Sequence, residues 1–360
     1  MTAAMSARLP VSIITGYLGS GKTTLLNRLL ADPGMARAAV IINEFGDIGL
    51  DHLLVATPSE NTVLLASGCI CCTVRGDLVD TLRDLDRRRR DGTLPPFDRV
   101  LIETTGLADP VPLLQTLITD EIVAPRYRAD GVVTLVDGVH GARGLDEHAE
   151  AAKQVALADR LLITKCDLAG EDEIAGLERR LARANPGARQ FRVMRGDIAA
   201  REIFDLALDP ADAAGIEHWL GERARAAGAG PEYSPHLGSI QTHSFRIDRP
   251  VTRAGLVTWL TLLASLRGAS LLRVKGLLNV EGAPVAVHAV QTVIDEPLEL
   301  ARWPDDERRS RLVFITRGLG RGEIERTLAA LEVEAGRSAP GGLLDPQAYA
   351  RFVAAAQGFR

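Results

Sequence analysis

A chain of 360 residues, 46% hydrophobic and 25% charged, holds enough apolar material for a full core, and its length predicts two or three domains. A formal charge of −5 gives no basic field of the kind that carries nucleic-acid binding. No stretch approaches the roughly 20 apolar residues of a membrane span, so neither a nucleic acid nor a membrane is an expected partner.

The chain opens with "MTAAMSARLPVSIIT", in which a short apolar run leads straight into a glycine loop. It reads as a first strand, not as a secretory signal. Three of the four cysteines fall between residues 69 and 72 and the last is Cys166, which is not a secreted disulfide framework. The expected compartment is the cytoplasm.

From that strand on, short β-branched runs alternate with helical patterns: "VSIIT", "AAVIIN", "TVLLAS", "RVLIET", "GVVTLVD", "RLLITK" and "RQFRVM". This alternation predicts an α/β domain, a parallel sheet with helices on both faces. In such sheets ligands gather at the carboxyl ends of the strands, and here nearly every run is followed by Gly, Asp, Asn, Thr or Cys. The arginine run in "RDLDRRRRDG", Arg87 to Arg90, reads as the solvated end of a helix and not as a phosphate patch. Past residue 215 the texture changes to "ERARAAGAGPEYSPHLG", which has linker character. The expected division is 1–215, a linker over 216–235, and a smaller α+β domain over 236–360. That second domain reads as the strand "SIQTHSFRI", the helix "TRAGLVTWLTLLASLRG", the strands "SLLRVKGLLNV", "PVAVHAVQTVI" and "RLVFITRG", and the helix "GEIERTLAALEV".

"GYLGSGKTT", between a strand and the helix "TTLLNRLLAD", carries the pattern G-x-x-x-x-G-K-[ST] in the context that gives it physical meaning. Gly16 and Gly21 occupy the fixed glycine positions, and the intervening residues, Gly19 and Ser20 among them, can turn backbone N–H groups inward as an anion nest. Lys22 would reach the outer phosphates, and Thr23, followed by Thr24, offers a hydroxyl to Mg²⁺. The strand "RVLIE" then places Glu103 where a carboxylate can serve the magnesium shell, and Gly106 where a backbone N–H can sense a terminal phosphate. Finally, "ITKCD" supplies Thr164, Lys165 and Asp167 in the pattern [NT]-K-x-D. Asp167 can accept two hydrogen bonds from guanine, a donor pair that adenine lacks. The expected nucleotide is GTP, with Lys165 along the base plane. The first position holds Thr164 where Asn is usual, so one loop-bracing hydrogen bond is expected to differ.

"SGCICC" concentrates thiols beyond what core filling needs, although small buried thiols and a redox pair remain the simpler alternatives. In extended chain Cys69 and Cys71 share a face, and a curl at Gly68 would let Cys72 join them. Zinc takes thiolates in a tetrahedron, so these cysteines could fill two or three of four positions.

Taken together, "TGYLGSGKTTLLNRLL", "IINEFGDIGLD", "SGCICCTVRGDL", "RVLIETTGLADP", "DGVVTLVDG" and "ITKCDL" resemble the CobW-like metal-handling P-loop GTPases, relatives of the urease and hydrogenase accessory GTPases. The likeness continues through "LLRVKGLLNV", "AVHAVQTV" and "RLVFITRGL" of the second domain. It implies a P-loop NTPase fold followed by a CobW-type C-terminal domain. The implied activity is that of a GTP-dependent metallochaperone, with GTP, Mg²⁺ and Zn²⁺ (Co²⁺ as a second option) as ligands. The resemblance further implies a client metalloprotein as acceptor, with a homodimer as one option for assembly. It assigns Gly16 to Thr24 to the phosphates, Glu103 to Gly106 to phosphate sensing, Thr164 to Asp167 to guanine, and Cys69, Cys71 and Cys72 to the metal. Asn43 to Asp47 match a switch-like segment, within which Glu44 and Asp47 are candidates for orienting the attacking water. Ile42 stands where some relatives carry an acid, which removes one carboxylate ligand. His236, His243 and His288 read as structural more readily than as ligands, and Trp219, Trp259 and Trp303 as core or interface anchors. Two other function classes fit parts of the pattern: a P-loop phosphotransferase with a structural zinc, and a non-catalytic metal sensor with a fixed nucleotide. Without a supplied arginine finger, hydrolysis is expected at about 10⁻⁴ to 10⁻² per second.

Overall fold

A computed structural model describes residues 8–43, 63–67, 74–206, 240–265 and 270–332. The described residues fall into two compact units, 8–206 and 240–332. The expected linker over 216–235 and the boundary at 215 lie outside them.

The first unit runs β1 (Leu9–Gly16), α1 (Lys22–Leu30), β2 (Ala38–Asn43), β3 (Val63–Ser67), α2 (Val74–Arg90), β4 (Arg99–Glu103), α3 (Val111–Thr119) and β5 (Tyr127–Asp137). It continues with α4 (Gly141–Glu147), α5 (Ala149–Leu157), β6 (Arg160–Thr164), α6 (Glu171–Ala184), β7 (Arg189–Val193) and the short α7 (Ala200–Ile203). The strands form one seven-stranded sheet in the order β3-β2-β4-β1-β5-β6-β7, parallel throughout. All seven predicted runs are strands of this sheet.

Period-2 alternation sorts the strand side chains between the two faces. On one face Ile14, Val40, Leu101, Val133 and Leu162 pack with Leu25, Leu26 and Leu29 of α1. Thr134, the neighbour of Val133, turns the other way, and its hydroxyl donates to the Gln154 carbonyl of α5 at 3.0 Å. The arginine run ends α2 as expected: Asp86, almost fully buried, pairs with Arg90 at 2.6 Å and with Arg126 at 2.9 Å. Arg89 and Arg90 thus reach a buried carboxylate, whereas Arg87 and Arg88 pair with the more exposed Asp84 on the same helix.

The second unit is β8 (Ile240–Ile247), α8 (Arg253–Ser265), β9 (Leu271–Val280), β10 (Ala283–Val290), β11 (Val293–Ile294), β12 (Leu298–Glu299), β13 (Ser310–Arg317) and α9 (Arg321–Leu328). Its sheet is antiparallel, ordered β11-β10-β9-β13-β8, with β12 paired to β10. "PVAVHAVQTVI" is not one strand. Gln291 adopts φ 53° and turns the chain, so that Val293 pairs back onto Val290. Trp259 of α8 is fully buried and meets Phe314 edge-on at 6.2 Å, while its indole N–H donates to Thr327 at 3.3 Å. Trp303 donates to the Gly282 carbonyl at 3.2 Å. His288 pairs with Asp295 at 2.6 Å, and buried His243 lies 3.2 Å from the Leu319 carbonyl, so both are built into the packing. His236 and Trp219 lie outside the described residues.

Candidate functional site

The carboxyl ends of the strands lie on one edge, with β1 at the centre of the sheet order. β1 delivers the phosphate loop. Gly16 has φ 147°, and a Cβ there would lie 2.5 Å from the Leu135 carbonyl oxygen and 2.7 Å from the Ser20 hydroxyl. Only glycine fits this close approach. Gly19 (φ 75°) and Gly21 (φ 92°) supply the left-handed turns, and Gly21 is the N-cap of α1. Ser20 N–H donates to the Tyr17 carbonyl at 3.1 Å and closes the loop.

Two observations fit this cradle to phosphate. The Lys22 ammonium folds back onto the carbonyls of Gly16 (2.9 Å) and Tyr17 (3.4 Å), the loop that a bound anion would occupy. The Ser20 hydroxyl is buried with no hydrogen-bond partner, an orphan that a phosphate oxygen can satisfy. Thr23 lies in the first turn of α1, half-buried, and Thr24 beside it is exposed. Glu103 ends β4, buried and in register with Ile14 of β1 and Ile42 of β2. The hydroxyl of Thr23 and the carboxylate of Glu103 are hard oxygen donors of the type Mg²⁺ takes.

Gly106 follows on the same edge and packs on the phosphate loop, since a Cβ there would lie 2.6 Å from Leu18 N. Thr104 donates to the Thr15 hydroxyl at 2.8 Å, tying the start of this segment to β1.

The segment expected to read guanine sits at the end of β6. The Thr164 hydroxyl donates to the Ser20 carbonyl at 2.8 Å, so a brace to the phosphate loop is present although the residue is not Asn. Lys165 takes φ 56° and pairs with Asp137 at 2.6 Å. Burial alone would raise the Asp137 carboxyl. The Lys165 ammonium and the N–H groups of His140 and Val139 outweigh it and hold the carboxyl below its ordinary value. Asp167 is exposed in the turn Cys166–Leu168. Cys166 donates its thiol to the Ile163 carbonyl at 3.1 Å, and burial pushes its pKa up, which makes it a poor thiolate.

Several neighbours of the loop were not legible in the sequence. Tyr17 stacks on His148 with ring centroids 4.4 Å apart. On that side a cavity of about 300 Å³ is lined by Tyr17, Leu18, His140, His148, Gln154 and Lys165, among others. The turn after β7 packs on the start of α1, where a Cβ on Gly196 would lie 3.0 Å from the Thr24 carbonyl oxygen. The "RGD" turn was the only local signal for that contact.

The candidate metal ligands Cys69, Cys71 and Cys72, and the candidate water-orienting Glu44 and Asp47, lie outside the described residues. Their flanks do not: β2 ends at Asn43 and β3 at Ser67, paired in register as neighbours. Among the described residues no group of three or more His, Cys, Asp or Glu could hold a metal ion. Nor, among them, is any helix long and apolar enough to cross a membrane.

Residues 10–192 match the CobW/HypB/UreG nucleotide-binding domain, and residues 240–332 match the Cobalamin synthesis protein cobW C-terminal domain. The chain belongs to the CobW/HypB/UreG family. The family's two-domain order, nucleotide-binding then CobW C-terminal, is the order of the two units described above. Zinc chaperone YjiA of Escherichia coli is 34% identical over 330 residues, covering 90% of this chain and 98% of that protein. Zinc chaperone CobW of Pseudomonas aeruginosa is 31% identical over 357 residues, covering 89% and 91%. The crystal structure of Zn(II)-bound YjiA GTPase from E. coli superposes with a TM-score of 0.70 at 30% identity, covering 91% of this chain and all of that one. The chain is accordingly a GTPase of this family, with a P-loop GTPase fold followed by a smaller antiparallel-sheet domain.

Proposed function

We propose that the protein is a zinc metallochaperone in which the nucleotide on the phosphate loop sets the metal affinity of Cys69, Cys71 and Cys72, and hydrolysis releases zinc to a client metalloprotein. The observation that carries this reading is the strand order β3-β2-β4-β1. β3, β2, β4 and β1 end at one sheet edge, and in the sequence "GCICC" follows β3, "EFGD" follows β2, Gly106 follows β4 and the phosphate loop follows β1. Loops from adjacent parallel strands are neighbours, so a change at the terminal phosphate has a short route to the thiols. The relatives named as zinc chaperones, and the zinc-regulated GTPase metalloprotein activator 1 of Schizosaccharomyces pombe at 32% identity over 260 residues, favour zinc as cargo. Cobalt is the second candidate.

On binding GTP, Lys22 exchanges the carbonyls of Gly16 and Tyr17 for the outer phosphates, and Gly16, Gly19, Ser20 and Gly21 offer the loop N–H groups. Thr23 and Glu103 would hold Mg²⁺, which when bound neutralises charge on the phosphate oxygens. Asp167 accepts from guanine, Lys165 lines the base, and Thr164 keeps base and phosphate segments in register through Ser20. Gly106 senses the terminal phosphate, and Glu44 or Asp47 orients water. The three cysteines leave at least one zinc position for water or a client ligand, which suits a cargo that must leave. Thiols that must stay reduced suit a cytoplasmic location, and a homodimer is compatible with this scheme.

Zinc competition against a chromophoric chelator tests the assignment. Wild type should bind one zinc tightly, Cys71→Ser should lose it, and Lys22→Ala should keep zinc while losing GTP turnover. Tight zinc binding by the Cys69, Cys71 and Cys72 triple serine variant would contradict it.

A further inference from the structure

The segment after β4 is held from outside the phosphate loop by α5. The Gln154 side-chain amide spends both donors on it: Nε2 donates to the Gly106 carbonyl at 3.1 Å and to the Ala108 carbonyl at 3.0 Å. One residue earlier, the Lys153 ammonium meets the Asp109 carboxylate at 2.5 Å. Gln154 is fully buried, and its own backbone carbonyl accepts from Thr134 of β5, so the donor stands on the central sheet.

The amide orientation is fixed by chemistry, because carbonyls only accept and must face the nitrogen. Its Oε1 is buried with no hydrogen-bond partner. A buried glutamine that leaves one polar atom unsatisfied is costly as simple packing material, and its two good bonds go to Gly106 and the residue two beyond it. Gly106 in turn lies close to the phosphate loop, where an added Cβ would come within 2.6 Å of Leu18 N. The amide therefore ties α5 to the segment after β4 at the residue that packs on the phosphate loop.

We propose that Gln154 is a positioning residue for GTP hydrolysis: its amide holds Gly106 against the phosphate loop, and so lets the segment distinguish GTP from GDP. This rests on reading Gly106 as the sensor of the terminal phosphate. Gln154 acts only through that segment, so GDP, which lacks the terminal phosphate, should not register its loss.

The test uses the full chain, fluorescent GDP, a non-hydrolysable fluorescent GTP analogue, and steady-state turnover. Gln154→Leu removes both donors at similar size. It should lower the preference for the GTP analogue over GDP and the kcat by about 10-fold, with GDP affinity nearly unchanged. Gln154→Glu adds a signature that packing alone does not give. Burial against two carbonyls raises its carboxyl pKa; the protonated form can donate to one carbonyl and the ionised form repels both, so across a pH series preference and kcat should fall as pH rises through that transition, beyond any change seen in wild type. Gly106→Ala separates the two ideas: it keeps the backbone N–H, but its Cβ, 2.6 Å from Leu18 N, must push the segment off the phosphate loop, so the ratio of GTP-analogue to GDP affinity should fall if the segment is the sensor. Loss in Gly106→Ala with full retention in Gln154→Leu would overturn the role of Gln154 alone; retention in both would overturn the sensor reading. Equal weakening of GDP and GTP analogue in Gln154→Leu, or a preference independent of pH in Gln154→Glu, would reduce Gln154 to a structural residue and overturn the proposal.

Discussion

The Thr164 hydroxyl donates to the Ser20 carbonyl at 2.8 Å across 144 residues of sequence, joining the end of β6 to the phosphate loop through one buried bond. Thr164→Val keeps the shape and leaves that carbonyl without its side-chain donor. An unsatisfied buried acceptor costs about 1 to 3 kcal/mol. Both GDP and GTP affinities should fall by roughly 5- to 150-fold, and Thr164→Asn should restore part of the loss. Fluorescent-nucleotide titration checks this, and unchanged affinities in Thr164→Val would show that the brace is idle.

Gly16→Ala should damage the loop more severely. Its Cβ would lie 2.5 Å from the Leu135 carbonyl oxygen at φ 147°, so either β5 or the loop must shift. Destabilisation of about 1 to 3 kcal/mol is expected by thermal unfolding, together with loss of measurable nucleotide binding.

Nucleotide choice is assigned to Asp167. GTP should bind at least about 100-fold more tightly than ATP, and Asp167→Asn should collapse that ratio. Competition of each nucleotide against fluorescent GDP reads the ratio directly, and equal competition by ATP and GTP in wild type would remove the guanine assignment.

The Asp137–Lys165 pair gives the free protein an acid-sensitive brace between the ends of β5 and β6. Its folded carboxyl sits below the ordinary value of 3.8, so the folded state binds fewer protons than the unfolded chain in that range. The contribution is complete above that ordinary value and is lost as pH falls through the depressed one. Asp137→Asn should flatten the acid limb of stability below about pH 4. Denaturant titrations at several acidic pH values check the sign; an unchanged acid limb would remove Asp137 from the account.

What the sequence made legible follows from where the determinants lie. β-branched runs and glycine spacing are local, so "VSIIT" followed by "GYLGSGKTT" announced both β1 and its loop. The break at Gln291 was hidden because "AVQTV" keeps an apolar texture on both sides of a residue whose positive φ has no sequence mark. Gln154 was invisible for a different reason. Its partners Gly106 and Ala108 lie 48 and 46 residues away, and a glutamine inside the helical run "AEAAKQVAL" carries no pattern that separates a buried donor from a solvated one. Thr164 in place of Asn predicts an altered loop-bracing bond, and which partner it takes depends on a residue 144 positions away: its hydroxyl donates to the Ser20 carbonyl.

The central claim is that nucleotide state and metal affinity are coupled, and a chelator-competition titration of zinc with the GTP analogue and Mg²⁺ or with GDP tests it most directly. The account predicts zinc affinities that differ by about 5- to 150-fold between the two states, with an equal reciprocal effect of zinc on GTP affinity. Cys71→Ser should bind zinc weakly and erase the difference. Indistinguishable zinc affinities in the two nucleotide states of the wild-type protein would contradict the coupling and leave a GTPase with a structural metal.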